Sequence, residues 1–285
     1  MPRVLIAGCG YIGSATADLF HAAGWTVEGW TASAESAERL AGAPYPVCSV
    51  DLSDREAVAR TSGEFDAIVQ SASSRGGTAD DYRRVYVESA RNLTNAFPRA
   101  RLLFTSSTSV YAQKDGEWVT EEGPAEPQRE TARVLREAEE LTLESGGIVA
   151  RLAGIYGPGR SALLRKFLAG EATLGPDSDR FLNQIHRDDA ASALFLLVRE
   201  QTSGIYNVSD NHPLSQRAAF EWLAQHLQRT LPPASDTPSR RKRGDSNKRV
   251  SSAKLQALGW RARYPDFAAG MRDSVLPHEL RGTAL

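Results

Sequence analysis

Apolar residues fall along this chain in short blocks, each followed by a stretch with helical spacing. Residues 4–7 (Val-Leu-Ile-Ala) are apolar throughout and predict a strand buried on both faces. Residues 13–23 set Ala17, Phe20 and His21 near one helical face. The alternation continues with strands over 26–30, 45–50, 66–70, 101–105 and 148–152. Helices are predicted over 35–40, 54–60, 80–97 and 128–144, the long third one ended by Pro98. Buried strands that alternate with helices predict βαβ units, joined by right-handed crossovers. The fold class is therefore α/β, a doubly wound parallel sheet with helices on both faces.

Beyond Gly154 the rhythm weakens. Tyr156-Gly157-Pro158-Gly159 reads as a loop, residues 161–168 and 188–199 as helices, and residues 204–208 as a returning strand. Residues 215–228 are helical, and residues 251–258 form a helix capped by Gly259. Residues 231–247, rich in Pro, Ser and basic side chains, predict a mobile loop. The organisation expected is a nucleotide-binding domain over 1–155, with a return segment near 186–210. A small C-terminal α/β lobe then takes 156–185 and 211–285.

Composition narrows the classes. At 285 residues, with 41% hydrophobic and 24% charged side chains, the chain is globular rather than disordered or fibrous. Its 34 basic and 35 acidic residues balance to a net charge of -1, which argues against a nucleic-acid binder. Two cysteines, Cys9 and Cys48, are too few for a disulfide scaffold and predict a reducing compartment. No apolar run approaches the ~20 residues of a membrane span. The opening strand runs straight into a glycine loop, unlike a signal peptide. These features predict a soluble cytoplasmic protein, with neither membrane nor nucleic acid as partner. The five histidines and two cysteines show no ligand spacing, so no metal site is expected.

Gly8-Cys9-Gly10-Tyr11-Ile12-Gly13 follows the first strand and opens the first helix. A G-x-G-x-x-G in that context is a dinucleotide phosphate loop. One glycine makes the turn, one admits the pyrophosphate, and one lets the helix pack on the strand. The helix N-terminus offers its N–H groups to the phosphates. Cys9 reads as a small filler. An acidic residue at the end of the second strand would hold the ribose of NAD. Here that strand ends Thr31-Ala32-Ser33, without a carboxylate, and Glu28 lies mid-strand as a packed or solvated side chain. A 2′-phosphate meets no repulsion there, so NADP is preferred over NAD, with Thr31 at the contact and Arg39 either reaching it from the next helix or standing as a surface residue.

Further segments, in order along almost the whole chain, carry a family resemblance. They include Asp51-Leu52, Ser71-Ala72-Ser73, Thr105-Ser106-Ser107-Thr108-Ser109-Val110-Tyr111 and Arg151-Leu152-Ala153-Gly154-Ile155-Tyr156-Gly157-Pro158-Gly159. Ile185-His186-Arg187-Asp188-Asp189, Gly204-Ile205-Tyr206-Asn207-Val208 and the tail from Lys248 to Leu255, closed by Leu258-Gly259-Trp260, complete the set. Together they resemble the extended short-chain dehydrogenase/reductase superfamily, in its NAD-dependent epimerase/dehydratase group. The resemblance implies a Rossmann domain, adenine contact at Asp51 and Leu52, and cofactor contact at Ser71, Ala72 and Ser73. It also implies a small-molecule substrate, and a homodimer formed through the helices at 80–97 and 128–144.

The chain departs from that family at its chemistry. Family catalysis uses a Tyr acid/base, a Lys four residues later and an upstream Ser or Thr. The ammonium depresses the phenol pKa, and i, i+4 spacing puts both on one helix face. Aligned on Ala138-Glu139, the Tyr position is Thr131 and the Lys position is Leu135, and no Y-x-x-x-K occurs anywhere. Ser107 remains, and the pattern resembles the atypical short-chain reductases. The catalytic candidates are Ser107, Tyr86 (where the family has its site Asn) and Thr131. Tyr86 reads equally as a packing residue beside Tyr82. Substrate candidates are Tyr111, Arg160 and His186, with packing or structural roles as their alternatives. Arg240-Arg241-Lys242-Arg243, with Lys248 and Arg249, is the one dense basic cluster, read as a solvated loop or an anion clamp.

Three functional readings follow. The first is an NAD(P)-dependent oxidoreductase or epimerase acting on a small carbonyl or sugar-like substrate through a non-standard site. The second is an NADP(H)-binding sensor or partner-binding protein without turnover. Catalysis without net hydride transfer, such as an elimination, is a third.

Overall fold

The computed structural model describes residues 1–61, 63–74, 76–236 and 246–282. Two compact units emerge. The first comprises Met1–Val110, Glu126–Leu152 and Ala190–Tyr206; the second comprises Tyr111–Ala125, Ala153–Asp189 and Asn207–Leu285. Residues 111–125 thus belong to the second unit, although the alternation along the sequence put them in the first.

The first unit is built on seven strands: β1 (Arg3–Ala7), β2 (Thr26–Thr31), β3 (Val47–Ser49), β4 (Ala67–Gln70), β5 (Arg101–Ser107), β6 (Ile148–Leu152) and β7 (Gly204–Val208). They lie in the order β7-β6-β5-β4-β1-β2-β3. β1 pairs in parallel with β2 and β4, β2 with β3, β4 with β5, and β5 with β6. The chain therefore reverses its direction of travel across the sheet after β3, the topology of a doubly wound fold. β1 and β4 are buried almost throughout, as their unbroken apolar runs demand.

The crossovers contain α1 (Tyr11–Ala22), α2 (Ala34–Glu38), α3 (Arg55–Arg60), α4 (Ala79–Tyr82), α5 (Ser89–Ala96) and α6 (Glu130–Glu144). Asp54 caps α3 by accepting from the N–H groups of Glu56 and Ala57. Thr78 and Asp81 form a reciprocal capping box on α4. Leu5, Trp30, Val58, Phe65, Ile68, Leu93, Phe97 and Leu102 pack into one core on this unit. The helix expected over 80–97 is not one regular helix: Arg83–Glu88, between α4 and α5, is π-helical. Widened turns leave carbonyls without their usual N–H partners. Here buried side chains add donors, at Tyr86 O beside a backbone N–H from the start of α5. Gln70 Nε2 donates to the carbonyls of Val85 (3.4 Å) and Tyr86 (3.2 Å), and Ser89 Oγ donates to that of Arg84 (3.3 Å).

In the second unit, Gly154–Tyr156 pairs in parallel with Gln184–His186, and Trp118–Val119 with Arg249–Val250. Helices α7 (Ala162–Leu168) and α8 (Gln216–Leu227), together with the terminal helical run from Phe267, bury Leu164, Phe167, Phe220, Leu223, Phe267, Met271 and Val275. The loop expected over 231–247 is anchored where it is described. Leu174 N–H donates to Pro233 O, and Ser235 N–H donates to Leu174 O. Arg240, Arg241, Lys242 and Arg243 lie outside the described residues. No helix among the described residues is long and apolar enough to cross a membrane.

Candidate active site

Parallel strands bring their carboxyl ends to one edge. In the first unit the Gly8 loop follows β1, Thr31 ends β2, Ser71 follows β4 and Ser107 ends β5. The glycines of the loop have different reasons to be glycine. Gly8 has φ +103, and a Cβ there would stand 2.2 Å from Ala72 N. A Cβ on Gly13 would stand 2.3 Å from Gly8 O and 2.8 Å from Ser71 Oγ. Ser71 Oγ donates to Gly8 O at 2.9 Å, tying the loop to the end of β4. Gly10 is the opposite case: a Cβ there would meet nothing within 4 Å. Gly10 is the N-cap of α1, gives no side-chain cap, and is followed by no acidic residue in the first turn. Tyr11 and Ile12 open that helix. The positive end of α1 thus faces an open cradle that a side chain would fill, and a dinucleotide pyrophosphate fits it. Cys9 is a filler, as its sequence setting suggests. Its thiol is buried, packs over Gly29, and is pushed up to about 12, by burial first and by the Asp18 charge second.

At the end of β2, Thr31 is buried, and its hydroxyl donates to the carbonyls of Ser33 (3.1 Å) and Cys48 (3.4 Å). Ser33 caps α2, and its hydroxyl meets that of Ser36 at 3.0 Å. Arg39 donates to Ser36 Oγ at 2.9 Å and to Glu35 at 2.7 Å. Two hydroxyls, a guanidinium and the Glu35 carboxylate paired with it therefore gather just past the strand. Glu28 is half-buried mid-strand and accepts the indole N–H of Trp30 at 2.8 Å. Asp51 Oδ1 accepts from the backbone and hydroxyl of Ser53, closing a tight turn. Leu52 is in the core. The turn is held by Asn92 on α5, whose amide donates to the carbonyls of Leu52 (3.0 Å) and Ser53 (3.1 Å).

Ser107 is half-buried, and its Oγ accepts the N–H of Ser109 at 3.2 Å, leaving its O–H to donate outward. Its neighbour Ser106 points the other way, donating at 2.5 Å to Glu139 of α6. Glu139 is fully buried and also takes both Nε (3.0 Å) and Nη2 (2.7 Å) of Arg151 on β6, plus Arg136. Thr131 stands half-buried in the first turn of α6, and Leu135 one turn on is buried in the core. Tyr86 is 9% exposed, with its ring against Tyr82 (5.2 Å) and Phe104 (6.0 Å). The packing partnership with Tyr82 is therefore real. The phenol oxygen also accepts the N–H of Ser74 at 3.3 Å and meets the Ser74 hydroxyl at 3.4 Å, in the segment that follows Ser71, Ala72 and Ser73.

In the second unit two sequence-based substrate candidates have structural roles instead. Tyr111 is 1% exposed, and its phenol lies between Asn207 Oδ1 (2.9 Å) and Thr120 O (3.0 Å). His186 is fully buried beside Tyr264 and Tyr156. Its Nδ1 accepts the N–H of Asp188 at 3.2 Å, which leaves Nε2 to donate to Ser274 Oγ at 3.1 Å. Burial lowers its pKa to about 4, so the ring is neutral at pH 7. The hydrogen-bonding capacity of both side chains goes to the fold, the packing and structural roles given as their alternatives. Arg160 is exposed, in a turn whose backbone bonds to Gly157 in both directions. Lys248 and Arg249 are not solvated. Lys248 is buried and donates to Tyr111 O (2.9 Å) and Ser246 Oγ (2.8 Å), and burial lowers its pKa to about 8. The Arg249 guanidinium lies over the rings of Trp118 and Phe181. No group of three or more His, Cys, Asp and Glu among the described residues is placed to hold a metal ion. Sequence reasoning missed Gln70, Asn92 and Glu139. The available signal was a polar residue on an otherwise apolar strand or helix face.

Comparison with known proteins agrees with this architecture. A model of the NAD dependent epimerase/dehydratase family matches residues 4–209. The chain is 30% identical to protein YeeZ of Escherichia coli (strain K12), across 93% of this chain and 97% of that protein. It is 27% identical to a Streptomyces sp protein named 3-diazoavenalumate denitrifying reductase, across 94% of this chain and 99% of that one. Among solved structures it is similar to a protein of Methylobacillus flagellatus assigned as an NAD-dependent epimerase/dehydratase. That match has 28% identity and a TM-score of 0.79, and covers 98% of this chain and 99% of the other.

Proposed function

The chain belongs to the NAD-dependent epimerase/dehydratase family, and from that premise we propose that it is an NADP(H)-dependent oxidoreductase of a small carbonyl or sugar-like substrate. The observation that carries this reading is the loop cradle, crowded at Gly8 and Gly13 and open at Gly10. The loop and the N-terminus of α1 would hold the pyrophosphate. Asp51 and Leu52 would border the adenine, and Ser71 to Ser73 the nicotinamide half. The preference for a 2′-phosphate rests on the Ser33, Ser36 and Arg39 cluster and on the lack of a carboxylate at Thr31. A bound dihydronicotinamide supplies hydride.

The chain's own part is hydroxyl chemistry. Ser107 holds the substrate oxygen through a proton that its accepted bond from Ser109 leaves free to be donated. Tyr86, in contact with Ser74, is the second hydroxyl and the proton source. Leu135 offers no ammonium, so nothing at that position lowers a phenol's pKa. The Streptomyces relative, named a denitrifying reductase, favours reduction over epimerisation.

Fluorescence titration of NADPH and NADH tests the reading. NADPH is expected to bind at least tenfold more tightly than NADH, a gap of about 1.4 kcal/mol. Gly10→Ala should leave the melting temperature unchanged and weaken NADPH by a similar factor. Ser107→Ala should spare binding and abolish carbonyl-dependent NADPH oxidation. If neither dinucleotide binds, the reading fails. Tight binding with no oxidation by any carbonyl supports instead a dinucleotide-responsive binding protein, which the replacement of the Tyr and Lys by Thr131 and Leu135 favours.

A further inference from the structure

Gln70 is 1% exposed at the carboxyl end of β4. Its Nε2 is bonded to the carbonyls of Val85 and Tyr86, while its Oε1 has no hydrogen-bond partner among the described residues. A buried amide left half-satisfied costs more than an apolar side chain of the same size. Packing therefore does not explain a glutamine here. What it has and methionine lacks is a donor, and that donor meets carbonyls of the π-helical turn that contains Tyr86. Thr105 Oγ1 on β5 donates to Gln70 O at 3.0 Å, fixing the backbone of Gln70 between two central strands.

We propose that Gln70 is a positioning residue that stabilises the π-helical turn Arg83–Glu88 and thereby holds the Tyr86 phenol against Ser74. The proposal rests on the reading that Tyr86 serves the reaction. The mechanism is geometric. Ala90, Leu93 and Asn92 bind α5 to the core and to the Leu52 turn. With that end fixed, closing the widened turn to α spacing moves the preceding residues by one position in register, on the order of 100° about the helix axis. Tyr86 then leaves Ser74. Ser89, bonded to Arg84 O, supports the same turn at one carbonyl; Gln70 supports it at two.

Two substitutions separate the donor from the bulk of the side chain. Gln70→Met keeps length without a donor. Gln70→Glu donates only when protonated. In the protein without added cofactor, amide hydrogen exchange at residues 83–88 should rise at least tenfold in Gln70→Met, while α1 and β5 stay protected. In Gln70→Glu the exchange should return toward wild type as pH falls. With NADPH, Gln70→Met should keep cofactor affinity and KM within about twofold and lose at least tenfold in kcat. Added to Tyr86→Phe, it should cause no further loss, because it acts through Tyr86. Wild-type exchange at 83–88 in Gln70→Met overturns the proposal, as does a kcat loss that adds in full to that of Tyr86→Phe. Failure of wild type to bind NADPH overturns the proposed function instead, and the exchange measurement still decides the role of Gln70.

Discussion

Glu139 offers the sharpest test of how the first unit is held together. Its carboxylate joins three elements: Ser106 from β5, Arg151 from β6 and Arg136 from its own helix. Glu139 is 0% exposed and Arg151 is 1%. Glu139→Gln keeps the shape and removes the charge, taking from the buried Arg151 guanidinium the carboxylate it pairs with. The amide also places an N–H against a donor whichever way it is turned, because Arg151 approaches both oxygens. Breaking a buried pair from one side costs about 3–5 kcal/mol. For a domain of this size that is a fall in melting temperature of roughly 6–20 °C. The double variant Glu139→Met, Arg151→Met replaces both partners with apolar groups and should recover much of the loss, since buried pairs often exchange for well-packed apolar ones at little net cost. The assay is denaturant unfolding of wild type, Glu139→Gln, the singles Glu139→Met and Arg151→Met, and the double variant, the last three closing a cycle with wild type. A single-variant loss below about 1 kcal/mol, or a double variant as unstable as the two singles combined, would refute the reasoning.

Two further predictions concern the second unit. Burial raises the Asp210 carboxyl to about 8, with the charges of Asp266 and Asp189 adding to the effect and a bond from the His212 N–H opposing it. A raised acid contributes stability that is full below its unfolded value near 3.8 and is lost as pH rises through about 8. Asp210→Asn, which mimics the neutral form, should flatten the decline in melting temperature across that window and gain on the order of several kcal/mol over wild type at pH 9; identical profiles would refute it. Gly270 has an ordinary helical φ, but a Cβ there would stand 2.0 Å from the Tyr156 hydroxyl, which bonds to Asp266 O. Gly270→Ala should therefore cost about 1–3 kcal/mol, and Tyr156→Phe should restore part of it; an unchanged melt would show that the ring moves aside freely.

Much of the first unit was legible because its signals are repetitive. Short apolar runs gave β1, β4 and β6 to within a residue or two, and the helices read over 54–60 and 161–168 begin there, with Asp54 and Ser161 as their caps. The glycine loop was legible for a stronger reason: only glycine survives at Gly8 and Gly13. The second unit was less so. Trp118–Val119 and Arg249–Val250 are strands of two residues, too short to show a period, and they pair across more than a hundred positions. The helical run from Phe267 went unassigned beyond Trp260, because its start is set by Asp266 accepting from Ala269 N–H and its middle is π-helical. Side-chain roles were harder again. The motifs around Tyr111 and His186 indicate where a segment sits, but only the surrounding packing shows that both groups are committed inward. Gln70 and Lys248 gain their meaning from partners at residues 85–86 and 111.

The interleaving of the two units along the chain has a consequence for how the protein is made. The β7 edge strand spans Gly204–Val208, beside β6. The second unit begins at Tyr111 but ends only with the carboxyl-terminal segment. During translation the sheet therefore lacks its outermost strand until residues 204–208 have emerged. Nor can the second unit close before the helical run from Phe267 has been made. Vectorial folding, in which an amino-terminal domain matures while the rest is still on the ribosome, is closed to this architecture. Nascent chains stalled after Leu152 has emerged but before Gly204 has done so should leave the edge of β6 unpaired and open to association with other strands.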